Sequence, residues 1–176
     1  MDAASSWGIG GFHGDRYFLI PNAALIGFET ITQNCKGKHI IKDTPPSLLI
    51  AHLELLAALV GIICFVPHCK GRIIRLNSDN TDAVAWLQKS RCSAGLGFRM
   101  LAVIELYKHQ FRVKISTRHI KGVANRSADF LSRGKIPAWL KIYGSKCEVD
   151  LDKVINLVAN PLSAWKNVLL SERTTP

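Results

Sequence analysis

One apolar stretch limits the folds open to this chain more than any other feature. Residues 48 to 66 read LLIAHLELLAALVGIICFV, and Glu54 is the only acidic residue among them. A helix of this length and composition either crosses a membrane or lies in a protein core. The presence of Glu54 and His52 argues against a membrane span, because ionisable groups in lipid are costly. We therefore predict a core helix from about Leu48 to Phe65, with the membrane span as the alternative.

Glu54 within this helix needs a specific explanation. A buried carboxylate that has no partner costs several kcal/mol of stability. Glu54 must therefore be paired, protonated, or a metal ligand that faces a cleft. The sequence leaves these three alternatives open.

The charge balance indicates an anionic partner. The 176 residues include 23 Lys and Arg against 13 Asp and Glu, which gives a net charge of +10. This excess favours nucleic acid first and an anionic membrane surface second, with an ordinary basic protein as the alternative. Apolar residues make up 48% of the chain, which is enough for a packed core. We expect an ordered domain.

The cysteines and the N-terminus indicate a reducing, intracellular setting. Five cysteines are present without paired CxxC spacing, which argues against a disulfide framework or a structural zinc site. Cys64, His68 and Cys69 are close in sequence but lack a fourth ligand. The first residues, MDAASSWG, contain neither the basic nor the apolar region of a secretion signal.

Alternating strand and helix patterns predict an α/β fold. Residues 2 to 20 read as a β-hairpin, with a glycine-rich first strand, a turn at 13 to 16 and a second strand from Tyr17 to Ile20. The glycines weaken the first strand unless a ligand or another chain approaches its backbone closely. Ala24 to Thr30 and Lys38 to Lys42 are weaker strand candidates.

The second half of the chain continues this alternation. The predicted elements are a strand over 71 to 78, a helix from Thr81, a helix over 98 to 110, a strand over 112 to 119 and a short helix capped by Asn125 that stops at Gly134. Alternation in the last strand places Arg112, Lys114, Ser116 and Arg118 on one face. This basic face suits phosphate binding, and a half-solvated edge strand is the alternative.

Two acidic residues occupy positions at the ends of predicted elements. Asp79 directly follows a strand and precedes a helix, where open α/β sheets place ligand contacts. Asp129 lies on the first turn of the short helix, on the same face as Asn125. The alternatives are a turn or cap role for Asp79 and a favourable interaction with the helix dipole for Asp129.

Four segments together resemble a known family. In chain order they read DAASSWGIGG, HLELLAAL, LNSDNTDAVAWL and RHIKGVANRSADFLSRG. They are similar to the four successive motifs of the ribonuclease H domain attached to retrotransposon reverse transcriptases, of the DIRS-like or gypsy-like type. The resemblance covers about residues 1 to 136. It leaves residues 137 to 176 as a C-terminal helical extension of unknown role.

The resemblance implies an α/β fold with a mixed five-stranded sheet flanked by helices. It also implies that two Mg²⁺ ions, or Mn²⁺ in their place, are held by four catalytic acids, here Asp2, Glu54, Asp79 and Asp129. The implied substrate is the RNA strand of an RNA/DNA hybrid, recognised through its 2′-hydroxyl groups. The implied partner is the adjoining polymerase domain of a longer polyprotein, with no membrane. The residues assigned to nucleic-acid contacts are Asn80, Arg118, His119, Asn125 and Arg126.

Three departures from the family pattern affect the expected activity. The KGVANRS segment is too short for the mobile histidine loop of many cellular relatives, so His119 can substitute only in part and we expect slow turnover. The first strand starts close to Asp2, which indicates a piece of a longer polyprotein in which this ligand is frayed. No basic insertion resembles the substrate handle of some relatives, unless residues 89 to 99 serve that purpose.

A catalytically inactive domain of the same fold, used as a structural or nucleic-acid-binding module, is the alternative function. The presence of all four acids favours the nuclease, because a domain released from catalysis has little reason to keep a costly carboxylate such as Glu54. A related integrase or junction resolvase is disfavoured by the glycine-rich hairpin followed by HLEL.

Overall fold

A computed structural model describes residues 1–4, 7–25, 46–92 and 95–173 of the chain. The strands are β1 (Asp2–Ala4), β2 (Gly8–His13), β3 (Arg16–Pro21), β4 (Ile73–Ser78), β5 (Lys114–His119) and β6 (Ser145–Lys146). The α-helices are α1 (Pro46–Phe65), α2 (Thr81–Lys89), α3 (Gly95–Gln110), α4 (Arg126–Ser132), α5 (Ala138–Tyr143), α6 (Leu151–Ala159) and α7 (Pro161–Arg173).

The described strands form two sheets, and the fold is mixed α/β as predicted. The first sheet has the order β1-β2-β3-β6, with β1, β2 and β3 antiparallel and β6 parallel to β3. The second sheet pairs β4 with β5 in parallel. The pairing therefore differs from a single five-stranded sheet, because β1 spans only three residues and forms no ladder with β4. The sheets adjoin where the Met1 amino group donates to the Asn77 carbonyl at 3.0 Å.

The N-terminal hairpin is present, but its first strand is interrupted. The Trp7 N–H donates to the Ala4 carbonyl at 3.1 Å, and this turn reverses the chain so that Asp2 lies opposite Gly10. The turn between β2 and β3 contains Gly14 at a φ of 58°, a conformation that glycine adopts readily. The glycine-rich segment thus supplies two antiparallel strands instead of one.

Gly10 allows α4 to lie directly on β2. A Cβ at this position would come within 2.6 Å of the Leu131 backbone, which is closer than packed atoms approach. The sequence predicted a close approach to this strand by a ligand or another chain. The approaching group is instead a helix of the same chain.

The helix α1 is a core helix. Residues Ile50–His68 are long and apolar enough to cross a membrane, but 72% of this segment is buried inside the protein. Leu55, Leu59 and Val60 have no exposed surface, and α1 packs against β1, β2 and α3. Truncation of a leucine in such a place typically costs about 2–5 kcal/mol.

Several element boundaries differ from the predicted ones. The strand expected from Arg112 begins at Lys114, because Arg112 has a φ of 52° and lies in the turn after α3. The helix expected from Phe98 begins at Gly95. Ala24, expected in a strand, lies in the short 3₁₀ helix Asn22–Leu25. The rest of that candidate strand and the one over 38 to 42 lie outside the described residues.

The C-terminal segment packs on the same core. The Arg99 guanidinium donates to the Ala159 carbonyl at 2.5 Å, and the Trp165 indole donates to the Ala102 carbonyl at 3.1 Å. Val154 and Val158 are buried in the main hydrophobic cluster. Residues 137–173 therefore dock on the domain, although their role and the predicted boundary at residue 136 stay open.

Candidate metal centre

Three of the four predicted acids meet where the two sheets adjoin. Each of Asp2, Glu54 and Asp79 offers a carboxylate oxygen, and these oxygens lie within 4.8 Å of one another. Asp2 comes from β1, Glu54 from the middle of α1, and Asp79 from the position directly after β4. Carboxylate oxygens are the ligands that hard divalent cations prefer. The three residues, here called the acid cluster, could hold a metal ion.

Neighbouring polar groups fix the orientation of the acid cluster. Asp2 accepts a hydrogen bond from the Ser132 hydroxyl at 2.5 Å and one from the Asn125 amide at 3.1 Å. The same Asn125 amide lies 3.4 Å from Oδ1 of Asp79. A single buried amide therefore bridges two of the carboxylates.

Glu54 is oriented by two further donors. Its Oε1 accepts from the Ala3 N–H at 2.8 Å, and its Oε2 accepts from the Ser78 hydroxyl at 3.0 Å. These two bonds join α1 to the ends of both sheets. They explain how the Glu54 carboxylate, on an apolar helix, is held facing Asp2 and Asp79.

The electrostatics of the acid cluster disfavour three negative charges. Burial, followed by repulsion from Asp2, raises the pKa of Glu54 to about 8. Burial also raises the pKa of Asp2 to about 6; the hydrogen bond from Ser132 opposes this shift, and the charges of Asp79 and Asp129 add to it. The acid cluster therefore tends to keep a proton on Glu54 at neutral pH unless a cation offsets the negative charge of the carboxylates.

The described residues supply no side-chain cation that neutralises this charge. Among them, no lysine or arginine forms an ion pair with a member of the acid cluster. The Met1 amino group lies nearby, but burial lowers its pKa. Of the three explanations for Glu54, pairing with a basic side chain is thus not observed in the described part of the chain. Protonation and metal ligation remain.

Asp129, the fourth predicted acid, lies at the edge of the site. Its Oδ1 accepts from the Arg133 guanidinium at 2.8 Å, in an ion pair whose side chains are 37% and 53% exposed. It is not one of the carboxylates that lie within 4.8 Å of one another. Its charge nevertheless raises the pKa of Asp2, so it acts on the acid cluster through space.

The residues predicted to contact nucleic acid divide into two groups. Arg118, His119 and Arg126 are exposed, and the His119 ring lies 3.0 Å from the Asp79 carbonyl. Asn80 uses its side chain to cap α2, accepting from the Ala83 N–H at 2.9 Å. Asn125 holds the N-cap position of α4 as predicted, but its side chain makes no capping bond. Its amide is instead committed to the acids.

Three further residues shape the site without having been predicted. Ser78 and Ser132 donate to Glu54 and Asp2, and both lie beside predicted acids, in the sequences SDN and ADFLS. Gly122 leaves room for Asp79, since a Cβ there would lie 3.1 Å from Oδ2 of that residue. The sequence signal that could have identified Ser78 and Ser132 is that each is a serine in the same short motif as a predicted acid.

Comparisons with known proteins give no match: no family model, no curated protein and no solved structure matches this chain. The function of the site therefore has to be inferred from its own residues and geometry.

We expect the metal-free protein to lose stability as the pH rises from about 4 to about 8. Folding raises the pKa of Asp2 from 3.8 to about 6 and that of Glu54 from 4.5 to about 8. Between these values the folded state binds more protons than the unfolded state, so stability falls as the pH increases. A divalent cation that binds the ionised acid cluster should reverse this loss.

The measurement is the thermal unfolding midpoint across this pH range, with and without saturating MgCl₂. Magnesium should raise the midpoint more near pH 8 than near pH 5. An equal effect of magnesium at both pH values would contradict a metal site formed by these carboxylates.

Proposed function

We propose that this protein hydrolyses the RNA strand of RNA/DNA hybrids in a reaction that depends on Mg²⁺. The observation that carries the proposal is the meeting of Asp2, Glu54 and Asp79 within 4.8 Å. Each of these residues comes from a different one of the segments that resemble ribonuclease H motifs. Buried charges in proteins are generally paired with opposite charges or coordinate metal ions.

The arrangement of the strands supports the finer fold that we propose, a five-stranded ribonuclease H-like sheet. The bond from Met1 to Asn77 sets β1 beside β4, so the strands follow one another in the order β3-β2-β1-β4-β5. The acid cluster lies at the junction between β1 and β4. Helices α1 and α4 pack against β1 and β2 and supply Glu54 and Asp129 respectively.

The donor set fits magnesium. The acid cluster consists only of oxygen ligands, which suit Mg²⁺ or Mn²⁺ better than metals that prefer sulfur or imidazole. Two such ions would be held by the acid cluster with Asp129 at its edge, and when bound they activate the attacking water and stabilise the leaving oxygen. The protein orients the ligands through Ser132, Asn125, Ala3 and Ser78.

Exposed cations beside the acid cluster support a polyanionic substrate. Arg118, Lys121 and Arg126 are exposed on the segments that flank the site, and the chain as a whole carries a net charge of +10. Contacts from such residues to phosphates fix the register of a nucleic acid without reading its sequence. Selection of the RNA strand then depends on contacts to its 2′-hydroxyl groups.

The test is incubation with an RNA/DNA hybrid labelled on each strand in turn, in the presence of Mg²⁺. We expect cleavage of the RNA strand, an intact DNA strand, and complete inhibition by a chelator. A DNA duplex of the same sequence is the matched control. Cleavage of both strands, or no cleavage with either Mg²⁺ or Mn²⁺, would contradict the proposal.

One observation favours a second candidate, a module of the same fold that binds nucleic acid without cutting it. Asp129 is engaged by Arg133 and not by the acid cluster, as expected if the fourth ligand has lost its role. Binding of the hybrid without cleavage, at equal affinity for the wild type and for variants of the acid cluster, would support this candidate.

Two substitutions at this ion pair define the role of Asp129. We expect Asp129→Asn to lower the cleavage rate by about 10- to 100-fold, the range typical for partners just outside a metal's ligands. Arg133→Gln should change the thermal midpoint little, because the pair is exposed, and should raise the affinity for Mg²⁺ by removing a cation near Asp2. Wild-type cleavage rates in Asp129→Asn would remove this residue from the site.

A further inference from the structure

An exposed surface that is both aromatic and basic follows the last of the four acid motifs. Residues 130 to 146 contain four basic residues and no acidic one, although the whole chain has 13 acids. Four of the nine large apolar side chains that are exposed in the described residues also lie in this stretch. Single exposed apolar residues are normal, but a concentration of them marks an interaction surface. The aromatic-basic surface, as we call it, comprises Lys135, Trp139, Lys141, Ile142 and Tyr143.

The short helix α5 separates a buried anchor from this exposed surface. Leu140 is buried in a cluster with Tyr17 and Leu131, which fixes α5 to the first sheet and to α4. Trp139, Ile142 and Tyr143 follow one another at i, i+3 and i+4 spacing, so their side chains lie on one side of the helix. Ile142 is 70% exposed and Tyr143 is 74% exposed. In the described part of the chain this side of α5 is not covered, and a partner that covers it would gain from burial of apolar area.

The aromatic-basic surface is held in place before any partner binds. The Trp139 ring packs edge-to-face against Phe12, with ring centroids 5.5 Å apart and an interplanar angle of 76°. The Lys135 N–H donates to the Phe130 carbonyl at 2.8 Å, next to Gly134 at a φ of 72°, and this turn sets the start of α5 after α4. Groups that are already ordered lose less entropy on binding.

The mixture of rings and lysines favours nucleic acid as the partner. Aromatic rings stack on bases, and neighbouring basic side chains bind the phosphates of the same strand. Lys135 and Lys141 are exposed beside the rings of Trp139 and Tyr143. Protein interfaces are depleted of lysine although they are enriched in aromatic residues, so this composition fits a polyanion better than another protein.

The position of the surface in the fold favours nucleic acid over a membrane, which also attracts Trp, Tyr and Lys. The helix that directly precedes the surface is α4, which carries Asp129 at the edge of the acid cluster. This helix has seven residues and is therefore about 10 Å long. A strand that passes the acid cluster needs only a few nucleotides to reach α5.

We propose that the aromatic-basic surface binds single-stranded nucleic acid. Bases stack on Trp139 and Tyr143, and Lys135 and Lys141 bind the phosphates. In the proposed nuclease, the surface holds an unpaired strand that extends beyond the hybrid. This second role rests on the proposed function, whereas the binding of single strands does not.

The test measures the affinity of the full chain for a short fluorescent single strand by anisotropy, in a chelator so that no cleavage occurs. We expect Tyr143→Leu, which keeps an apolar side chain but loses the ring, to bind at least about fivefold more weakly. Tyr143→Phe keeps the ring and should bind like the wild type. Lys141→Gln should lower the slope of log affinity against log salt by about 0.7, the value for one phosphate contact on a single strand.

Two control variants change similar side chains outside the surface. Leu162→Ala removes an apolar side chain that is 78% exposed on α7, and Lys153→Gln removes an exposed charge on α6. Both should bind single strands like the wild type, and the thermal midpoint of every variant shows that it is folded. A folded Tyr143→Leu that binds single strands as tightly as the wild type would overturn the proposal.

Three further measurements separate the possible partners and the two roles. Phosphatidylserine vesicles should not distinguish Tyr143→Leu from the wild type; binding that depends on Tyr143 for vesicles but not for single strands would overturn the proposal in favour of a membrane. A hybrid with an unpaired extension should bind more tightly than a blunt one, and Tyr143→Leu should reduce this difference. Single-strand binding that depends on Tyr143, in a wild type that cleaves no hybrid, would support this surface while contradicting the nuclease.

Discussion

The Asp79→Asn variant is expected to cleave the hybrid more than about 100-fold more slowly than the wild type. Removal of a residue that only hydrogen-bonds to a metal ligand typically lowers activity by about 10- to 100-fold, and loss of a ligand itself should cost more. The amide keeps the size of the side chain but removes its negative charge from the acid cluster. Asp79 lies directly after β4 and is only partly buried, so the fold should tolerate the change. The measurement is the initial rate of RNA cleavage under saturating Mg²⁺.

Asp82→Asn is the matched control for this variant. Asp82 is an exposed acid on the first turn of α2, three positions from Asp79, and it belongs to no cluster of described acids. The Asp82→Asn variant should therefore cleave at the wild-type rate. If Asp79→Asn also cleaves at that rate, the acid cluster is not the catalytic site.

The Glu54→Gln variant should be more stable than the wild type without metal, yet inactive. An ionised Glu54 is disfavoured by burial and by Asp2, as its pKa of about 8 indicates. A glutamine cannot ionise, and its carbonyl can still accept from the Ala3 N–H. Relief of a shift from 4.5 to about 8 corresponds to a gain on the order of a few kcal/mol near pH 8.

Opposite changes in stability and activity separate a functional carboxylate from a structural one. The measurements are the free energy of unfolding by denaturant near pH 8 and the shift of the thermal midpoint with MgCl₂, which should disappear in Glu54→Gln. Glu148→Gln, at an exposed position, should match the wild type in both. A destabilised Glu54→Gln that keeps its response to magnesium would make Glu54 a purely structural residue.

Two members of the acid cluster could be singled out from the sequence for physical reasons, because burying an acid is costly and the end of a strand is a common position for ligand contacts. Glu54 stands out as the one acid in an apolar helix, and Asp79 stands out at the carboxyl end of a strand. The position of Glu54 requires a specific explanation, whereas a turn or cap role was an alternative for Asp79. The structure places the two together with Asp2.

The side chains of Asn125 and Asp129 could not be predicted in the same way. Both lie at the start of α4, where the sequence supports a cap and a first-turn acid equally well. The direction of each side chain depends on groups brought close by the fold, namely Asp2 for Asn125 and Arg133 for Asp129. Spacing along a helix gives the face of a residue but not its partner.

The strand pattern was misread for a related reason. Residues 2 to 12 were predicted as one glycine-rich strand, and the reversal between Ala4 and Trp7 has no proline or Asn-Gly pair to indicate it. The association of β1 with β4 is likewise a long-range contact, made by Met1 and Asn77. Local sequence patterns contain no information on such a pairing.

The most direct measurement is a crystal structure of the protein soaked with Mn²⁺, because manganese can be identified by its anomalous scattering. We expect a manganese peak coordinated by carboxylate oxygens of Asp2, Glu54 and Asp79, and its loss in crystals of Glu54→Gln. An acid cluster without a peak at saturating Mn²⁺, with the bonds of Asn125 and Ser132 to Asp2 unchanged, would contradict the metal centre and the activity inferred from it.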